Sequence, residues 1–111
     1  AIEKLLMKYS DVFALNLIVT TGGTGLSPRD VTPEATRNVI EKEITGIVEG
    51  SRAYGQRRTP LSMLSRGIAG IRGTSLIINI PGSLRGVSES LDFLFPGLEH
   101  AFKMMEGQGH K

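Results

Sequence analysis

The sequence predicts an α/β fold in which helices cover a sheet on both faces. Two short apolar runs rich in β-branched residues, Leu17 to Thr21 and Ser75 to Ile80, are continuous and not alternating. Strands covered on two faces read that way, so both are assigned to a parallel sheet. Amphipathic helical patterns lie before, between and after them, and a glycine-bearing turn follows each run. Strand, helix, strand, helix in that order implies a layered fold with right-handed crossovers.

The elements follow in order. Ile2, Leu5, Leu6 and Tyr9 recur at helical spacing, so the chain opens inside an amphipathic helix with no capping residue before it. After the first strand, Thr32 is placed as an N-cap with Pro33 at the first helical position, and Ala35, Val39, Ile40 and Ile44 form the helix's apolar stripe. Gly46 is expected to interrupt or bend that helix, with residues 47–53 continuing as a second piece. Thr59-Pro60 repeats the cap-plus-proline start for a helix through Leu61 and Leu64. Beyond the second strand, Val87, Leu91 and Leu94 predict one helix and Leu98, Ala101, Phe102 and Met105 another, separated by Pro96-Gly97.

Composition bounds the function. With 111 residues, 14 Gly, 5 Pro and no repeat or linker, residues 1–111 are expected to form one soluble globular domain. The absence of Cys excludes a disulfide scaffold, a thiolate nucleophile and any cysteine-built metal site, and His100 and His110 have no partner at metal-ligand spacing. No run approaches a membrane span and no sorting signal is legible, so a cytoplasmic location is the default. A net charge of +2 does not argue for nucleic acid, but no acid stands between Glu49 and Glu89. That segment holds Arg52, Arg57, Arg58, Arg66, Arg72 and Arg85, which predicts a positive region attractive to phosphates, or else a solvated rim.

Both strands run into ligand-ready turns, Thr20-Thr21-Gly22-Gly23-Thr24-Gly25 and Asn79-Ile80-Pro81-Gly82-Ser83. Open α/β sheets bind ligands beyond the carboxyl ends of their strands. Glycines admit close backbone approach, hydroxyls donate to oxyanions, and turn N–H groups make anion nests. Either turn alone is also what a tight strand-to-helix connection requires; two together point to a phosphate-bearing ligand. Neither a dinucleotide fingerprint nor a P-loop is present. Asp30 is the best candidate catalytic carboxylate, being the only acid between Asp11 and Glu34. A carboxylate beside a phosphate nest calls for a cation between them, so Asp30 is also the candidate Mg²⁺ ligand, together with substrate oxygens. A turn-forming or helix-start role is the competing reading of Asp30.

The blocks TTGGTG, SPRDVTPEAT, TPLSMLSR, GIRG and NIPGS stand in this order and spacing, and together they resemble the molybdopterin adenylyltransferase family. That family includes bacterial Mog-type enzymes, a domain of the plant cofactor-insertion protein and the N-terminal domain of gephyrin. The resemblance covers essentially the whole chain. It implies a three-layer αβα fold with a mostly parallel sheet, assembly as a homotrimer, and a fused or separate molybdenum-insertion domain as partner. The implied reaction transfers an adenylyl group from ATP to the phosphate of molybdopterin and releases pyrophosphate, with Mg²⁺ as the metal.

By resemblance, Asp30 matches the essential aspartate, Thr21, Gly22, Gly23, Thr24 and Gly25 the loop around pterin and nucleotide, and Pro81, Gly82 and Ser83 the second substrate loop. Ser62 and Ser65 are the implied pterin-side contacts. The family also carries an N-terminal portion with a first strand and a second essential aspartate, and neither matches here. The domain is therefore expected to be truncated at its N-terminus, with an exposed sheet edge. Two other readings compete with the enzyme: a molybdopterin-binding module without catalysis, and a trimerising scaffold. A CinA-type relative acting on another nucleotide is disfavoured by the SPRDVTPEAT and TPLSMLSR blocks.

Overall fold

A computed structural model describes residues 1–56 and 63–107. Helix α1, Ile2–Met7, widens into a π-helical turn over Lys8–Val12 and is followed by strand β1, Leu17–Thr21. Next come α2, Thr32–Val39; β2, Lys42–Glu43; and α3, Thr45–Gln56. Strands β3, Ala69–Arg72, and β4, Ser75–Ile80, precede α4, Leu84–Met105. The four strands lie in the order β1-β4-β3-β2.

Strand β4 is the spine. All six of its residues are buried, which is why its sequence does not alternate. Leu76, Ile78 and Ile80 face Val48 of α3 and Leu94 of α4, while Ile77 faces the opposite way, onto Leu6 of α1 and Val39 of α2. The period of two along the strand thus divides one apolar run between two cores, and the sheet is sandwiched between α1 and α2 on one side and α3 and α4 on the other. The expected α/β class and three-layer arrangement hold.

The sheet itself is mixed. β1 pairs with β4 in parallel, Leu17 opposite Leu76 through Thr21 opposite Ile80, whereas β3 pairs antiparallel with both β4 and β2. Neither β2 nor β3 was legible in the sequence. β2 has only two residues, both exposed, and β3 is the short run Ala69-Gly70-Ile71-Arg72, where packing and pairing override weak local preference. β1 also departs from expectation, because it stands at the margin of the described sheet with Val19 and Thr21 exposed.

Other expectations are corrected. Thr32 is not the N-cap of α2: it is the first helical residue, its N–H donates to Gly23 O at 3.2 Å, and Val31 holds the cap position without a side-chain bond. The apolar stripe from Ala35 to Ile44 is not one helix. α2 ends at Val39, Ile40 turns extended, and Glu41 N–H and Ile44 N–H donate to the β3 carbonyls of Ile71 and Ala69. Gly46 accordingly sits in the first turn of α3 and breaks nothing.

α4 runs unbroken through Pro96 where two helices were expected. Val87, Leu94, Leu98, Ala101 and Met105 keep one helical phase across the proline, so a single face packs on the core. Pro96 is exposed and Asp92, four residues before it, is exposed too, which leaves the carbonyl deprived of its N–H partner within reach of water. The helix expected from Thr59-Pro60 lies largely outside the described residues.

Candidate functional site

The parallel pairing of β1 and β4 brings their carboxyl ends side by side, and with them the two turns singled out in the sequence. Gly22 N–H donates to Ile80 O at 3.0 Å, extending the ladder one step past β1. Gly22 and Gly23 then adopt φ of +85° and +71°, a region that costs other residues conformational energy. Across the gap lies Gly82, where an added Cβ would stand 3.0 Å from the Gly22 Cα. The two glycine turns therefore touch backbone to backbone, and a side chain at Gly82 would have to push the Gly22 backbone aside by a few tenths of an ångström.

A buried polar network fixes this junction from beneath. Asn79 is 3% exposed and Thr36 fully buried. The Asn79 amide donates to Thr20 Oγ1 at 2.9 Å and Thr36 Oγ1 at 3.0 Å, and its carbonyl oxygen accepts from Ile68 N–H at 3.1 Å. One side chain thus joins β1, β4, α2 and the approach to β3. The bonds to Thr36 and Ile68 are buried, where an unmet polar group would be costly.

The loop from Gly22 to Val31 carries Asp30, half-buried, back to the start of α2. Asp30 Oδ2 accepts from Ser27 N–H at 3.0 Å, and Asp30 N–H donates to Ser27 O at 2.9 Å, so the residue closes its own turn. Gly25 lies against the carboxylate, since a Cβ there would stand 2.9 Å from Oδ2. Glycine at this position is what lets the loop fold over Asp30.

Arg66, named in the sequence only as part of the acid-free run, is the hub of the loop. Its N–H donates to Thr24 O at 2.8 Å, Nε to Gly25 O at 2.8 Å and Nη2 to Asp30 O at 2.5 Å. Nη1 pairs with Glu34 Oε2 at 2.5 Å. The hydrogen bond from Arg66 holds the Glu34 carboxyl below its ordinary value, and the same bond raises the guanidinium. Sequence reasoning missed both Arg66 and Asn79 because their partners lie across the fold.

Three of the six arginines expected to form a positive region, Arg52, Arg66 and Arg72, are engaged within the fold. Besides Arg66, Arg72 makes a two-point pair with Asp11 at 3.0 and 2.8 Å, which lowers the Asp11 carboxyl, and Arg52 Nη1 donates to Ser65 O at 3.0 Å. Their partners come mostly from distant sequence, so these three arginines do not form an unpaired patch. Arg57 and Arg58 lie outside the described residues.

Of the other predicted residues, Thr21, Gly22, Gly23, Thr24, Gly25, Asp30, Pro81, Gly82 and Ser83 belong to the two adjoining turns. Ser83 caps α4, its Oγ accepting from Gly86 N–H at 3.0 Å. Ser65 stands apart from them. With Arg37, Glu43, Arg52, Met63 and Arg66 it lines an open groove of about 360 Å³ beside α3, reached from the Asp30 loop through Arg66. Ser62 lies outside the described residues, as does His110.

The site suits Mg²⁺ only in the manner of a cation that keeps most of its ligands from elsewhere. Among the described residues no group of three His, Cys, Asp or Glu could hold a metal ion. Mg²⁺ commonly takes one or two protein carboxylates and completes its shell with water and substrate phosphates, and Asp30 beside a glycine turn fits that habit.

Adjoining glycine turns at the carboxyl ends of parallel strands, with one carboxylate on the longer turn, define the class: an α/β domain of the open-sheet kind, in which the ends of the strands are the usual place for a ligand. The family model described as "probable molybdopterin binding domain" matches residues 1–100, and the chain belongs to that family. It is 43% identical over 106 residues to the molybdopterin adenylyltransferase of Helicobacter pylori, a match covering 96% of this chain and 60% of that protein. It is 42% identical to the molybdenum cofactor synthesis protein cinnamon of Drosophila melanogaster, over 94% of this chain and 17% of that protein. Among solved structures, the molybdopterin biosynthesis enzyme MoaB of Thermus thermophilus superposes with a TM-score of 0.89 at 49% identity, covering 99% of this chain and 69% of that one. The chain thus spans about 60% of the length of the Helicobacter relative.

Proposed function

We propose that the chain serves molybdenum cofactor biosynthesis by transferring an adenylyl group from ATP to the phosphate of molybdopterin, with release of pyrophosphate. The observation that carries this reading is the junction of the Gly22 and Gly82 turns beside Asp30, in a chain 43% identical to a molybdopterin adenylyltransferase. Thr21 to Gly25 and Pro81 to Ser83 would hold the phosphates through backbone N–H groups and hydroxyls. Ser65, and Ser62 by resemblance, would contact the pterin.

Asp30 is the proposed Mg²⁺ ligand. When bound, the metal would neutralise charge developing on the transferring phosphate. The chain's own residues orient and bind. The turn amides stabilise the phosphoryl oxygens, and the backbone contact between the two turns fixes the separation of the groups that must meet in line. No covalent intermediate on the protein is needed.

The reading carries further parts: a single domain over residues 1–111, a homotrimer, a cytoplasmic location and a molybdenum-insertion domain on the same or a separate chain. The last is supported by relatives that are longer, such as the molybdenum cofactor biosynthesis bifunctional protein of Chlorobaculum tepidum, of which this chain matches 31%.

Molybdopterin titrated into the chain and into Asp30→Asn, followed by quenching of pterin fluorescence, tests binding, and pyrophosphate release after adding ATP and Mg²⁺ tests transfer. Both proteins are expected to bind. Release is expected from the unsubstituted chain, and the Asp30→Asn substitution is expected to slow it by at least roughly 100-fold. Binding without release from either protein would sink the enzyme reading.

A further inference from the structure

The Arg66 side chain and main chain together reach three carbonyls at the two ends of the Asp30 loop, and the direction of those bonds determines which way the loop's amides point. The carbonyls of Thr24, Gly25 and Asp30 all accept from Arg66. Among the described residues no peptide bond is cis. In a planar trans peptide the carbonyl of one residue and the N–H of the next point in opposite directions. Drawing these three carbonyls onto Arg66 therefore turns the N–H groups of Gly25, Leu26 and Val31 away from it. Peptide dipoles fixed in that sense present their positive ends on the far side of the loop, the polarity an anion-binding nest requires.

The anchor is itself anchored. Glu34, in the first turn of α2, takes Nη1 at 2.5 Å, so the guanidinium is held from the helix on one side and spends Nε and Nη2 on the loop. A planar fork with donors in fixed directions can hold two separated carbonyls and a carboxylate at once. A lysine ammonium has the charge but not the reach to span them.

We propose that Arg66 is a positioning residue: it sets the polarity of the Thr24 to Val31 loop and the placement of Asp30, and acts on the ligand phosphate only through them. The proposal rests on the adenylyl transfer reading for its kinetic consequence, but its structural consequence is independent of that reading.

The test uses the full chain with Arg66→Lys, and Glu34→Gln as a milder variant in case the first fails to fold. Amide hydrogen exchange without ligand is read in two windows, residues 22–32 and the β4 residues 75–80, and transfer is read as kcat and KM for ATP at saturating Mg²⁺. Losing bonds to a charged donor is expected to speed exchange in the loop by roughly tenfold or more and to leave β4 unchanged. kcat is expected to fall by about 100-fold for Arg66→Lys, with KM for ATP moving by no more than about threefold, because a displaced loop still meets ATP but misaligns it. Glu34→Gln should change both in the same direction by less.

Loop exchange equal to that of the unsubstituted chain overturns the proposal. So does faster exchange spread equally over β4, which would make Arg66 a residue of the fold at large, and so does faster loop exchange with kcat unaltered. If the unsubstituted chain shows no transfer, the enzyme reading fails, and the exchange windows alone then uphold or overturn the positioning of the loop.

Discussion

Asn79 shows how much one buried side chain can hold. Its amide serves two threonine hydroxyls and its carbonyl oxygen one main-chain N–H, all within 3.1 Å, with the bonds to Thr36 and Ile68 buried and the one to Thr20 part-buried. Replacing it with leucine, close to it in size, removes every partner while leaving Ile68 N–H and the Thr36 hydroxyl buried. We expect Asn79→Leu to lower unfolding free energy by about 2–4 kcal/mol, measured by urea denaturation, because unmet buried groups cost more than the bonds themselves are worth. The sequence showed Asn79 only as the residue before a turn, since neither Thr36 nor Ile68 is near it in the chain. Asp30 was legible for the opposite reason: it is the single acid of its segment, and its carboxylate bonds to its own turn.

Among the elements, α4 departs most from what its sequence suggests locally. Pro96 and Gly97 are the usual marks of a helix end, yet both lie inside 22 residues of continuous helix. The apolar contacts on either side of the break share one phase and one core, and their combined burial outweighs the lost hydrogen bond. A proline inside a helix costs roughly 3 kcal/mol relative to alanine, offset in part by the freedom it removes from the unfolded chain. Pro96→Ala is therefore expected to stabilise the protein by about 1–3 kcal/mol, and a thermal midpoint that falls would mean the proline is required by the bend or contacts of α4. β3 makes the complementary point. Its glycine at position 70 brings the backbone so near Ile40 and Lys42 O that a Cβ would stand 2.5 and 2.6 Å from them, and no propensity scale registers such an approach.

Across the whole molecule, charge acts as long-range stitching. Arg72 joins Asp11 of the first helical segment to β3 and also donates to Val39 O at 2.8 Å, and Arg66 joins β3's approach to Glu34 of α2. Hydrogen bonds from these arginines lower both carboxyls in the folded state. A carboxyl with a lowered folded value is protonated more readily in the unfolded chain, so its contribution is complete above the ordinary carboxylate range and disappears as the pH falls through the lowered value. Unfolding midpoints in urea should therefore owe nothing to these two groups' titration above about pH 5 and should decline below about pH 4, with the decline shallower in Arg72→Met. Equal slopes in the two proteins would show that the Asp11 pair contributes nothing to the pH dependence. Both carboxyls are exposed, so the effect should also weaken with added salt.

Local chemistry in the chain was enough to give the class of fold, the two parallel strands and the turns that end them. A fully covered strand such as β4 needs an apolar run, β1 carries a β-branched one although part of it is exposed, and a sharp turn at a strand end needs glycine, so each feature is written where it occurs. The family was legible for a similar reason, because five short blocks kept their residues and their spacing. Only in three dimensions do β1 and β4 become neighbours, which makes one junction of two turns. Three-dimensional packing likewise folds β3 back antiparallel, carries α4 through its proline, and sets Arg66 and Asn79 to hold the junction in place. Apart from β3, which turns back on its sequence neighbour β4, these outcomes depend on partners well separated along the chain, where burial and pairing across the sheet outweigh the preferences of any short stretch.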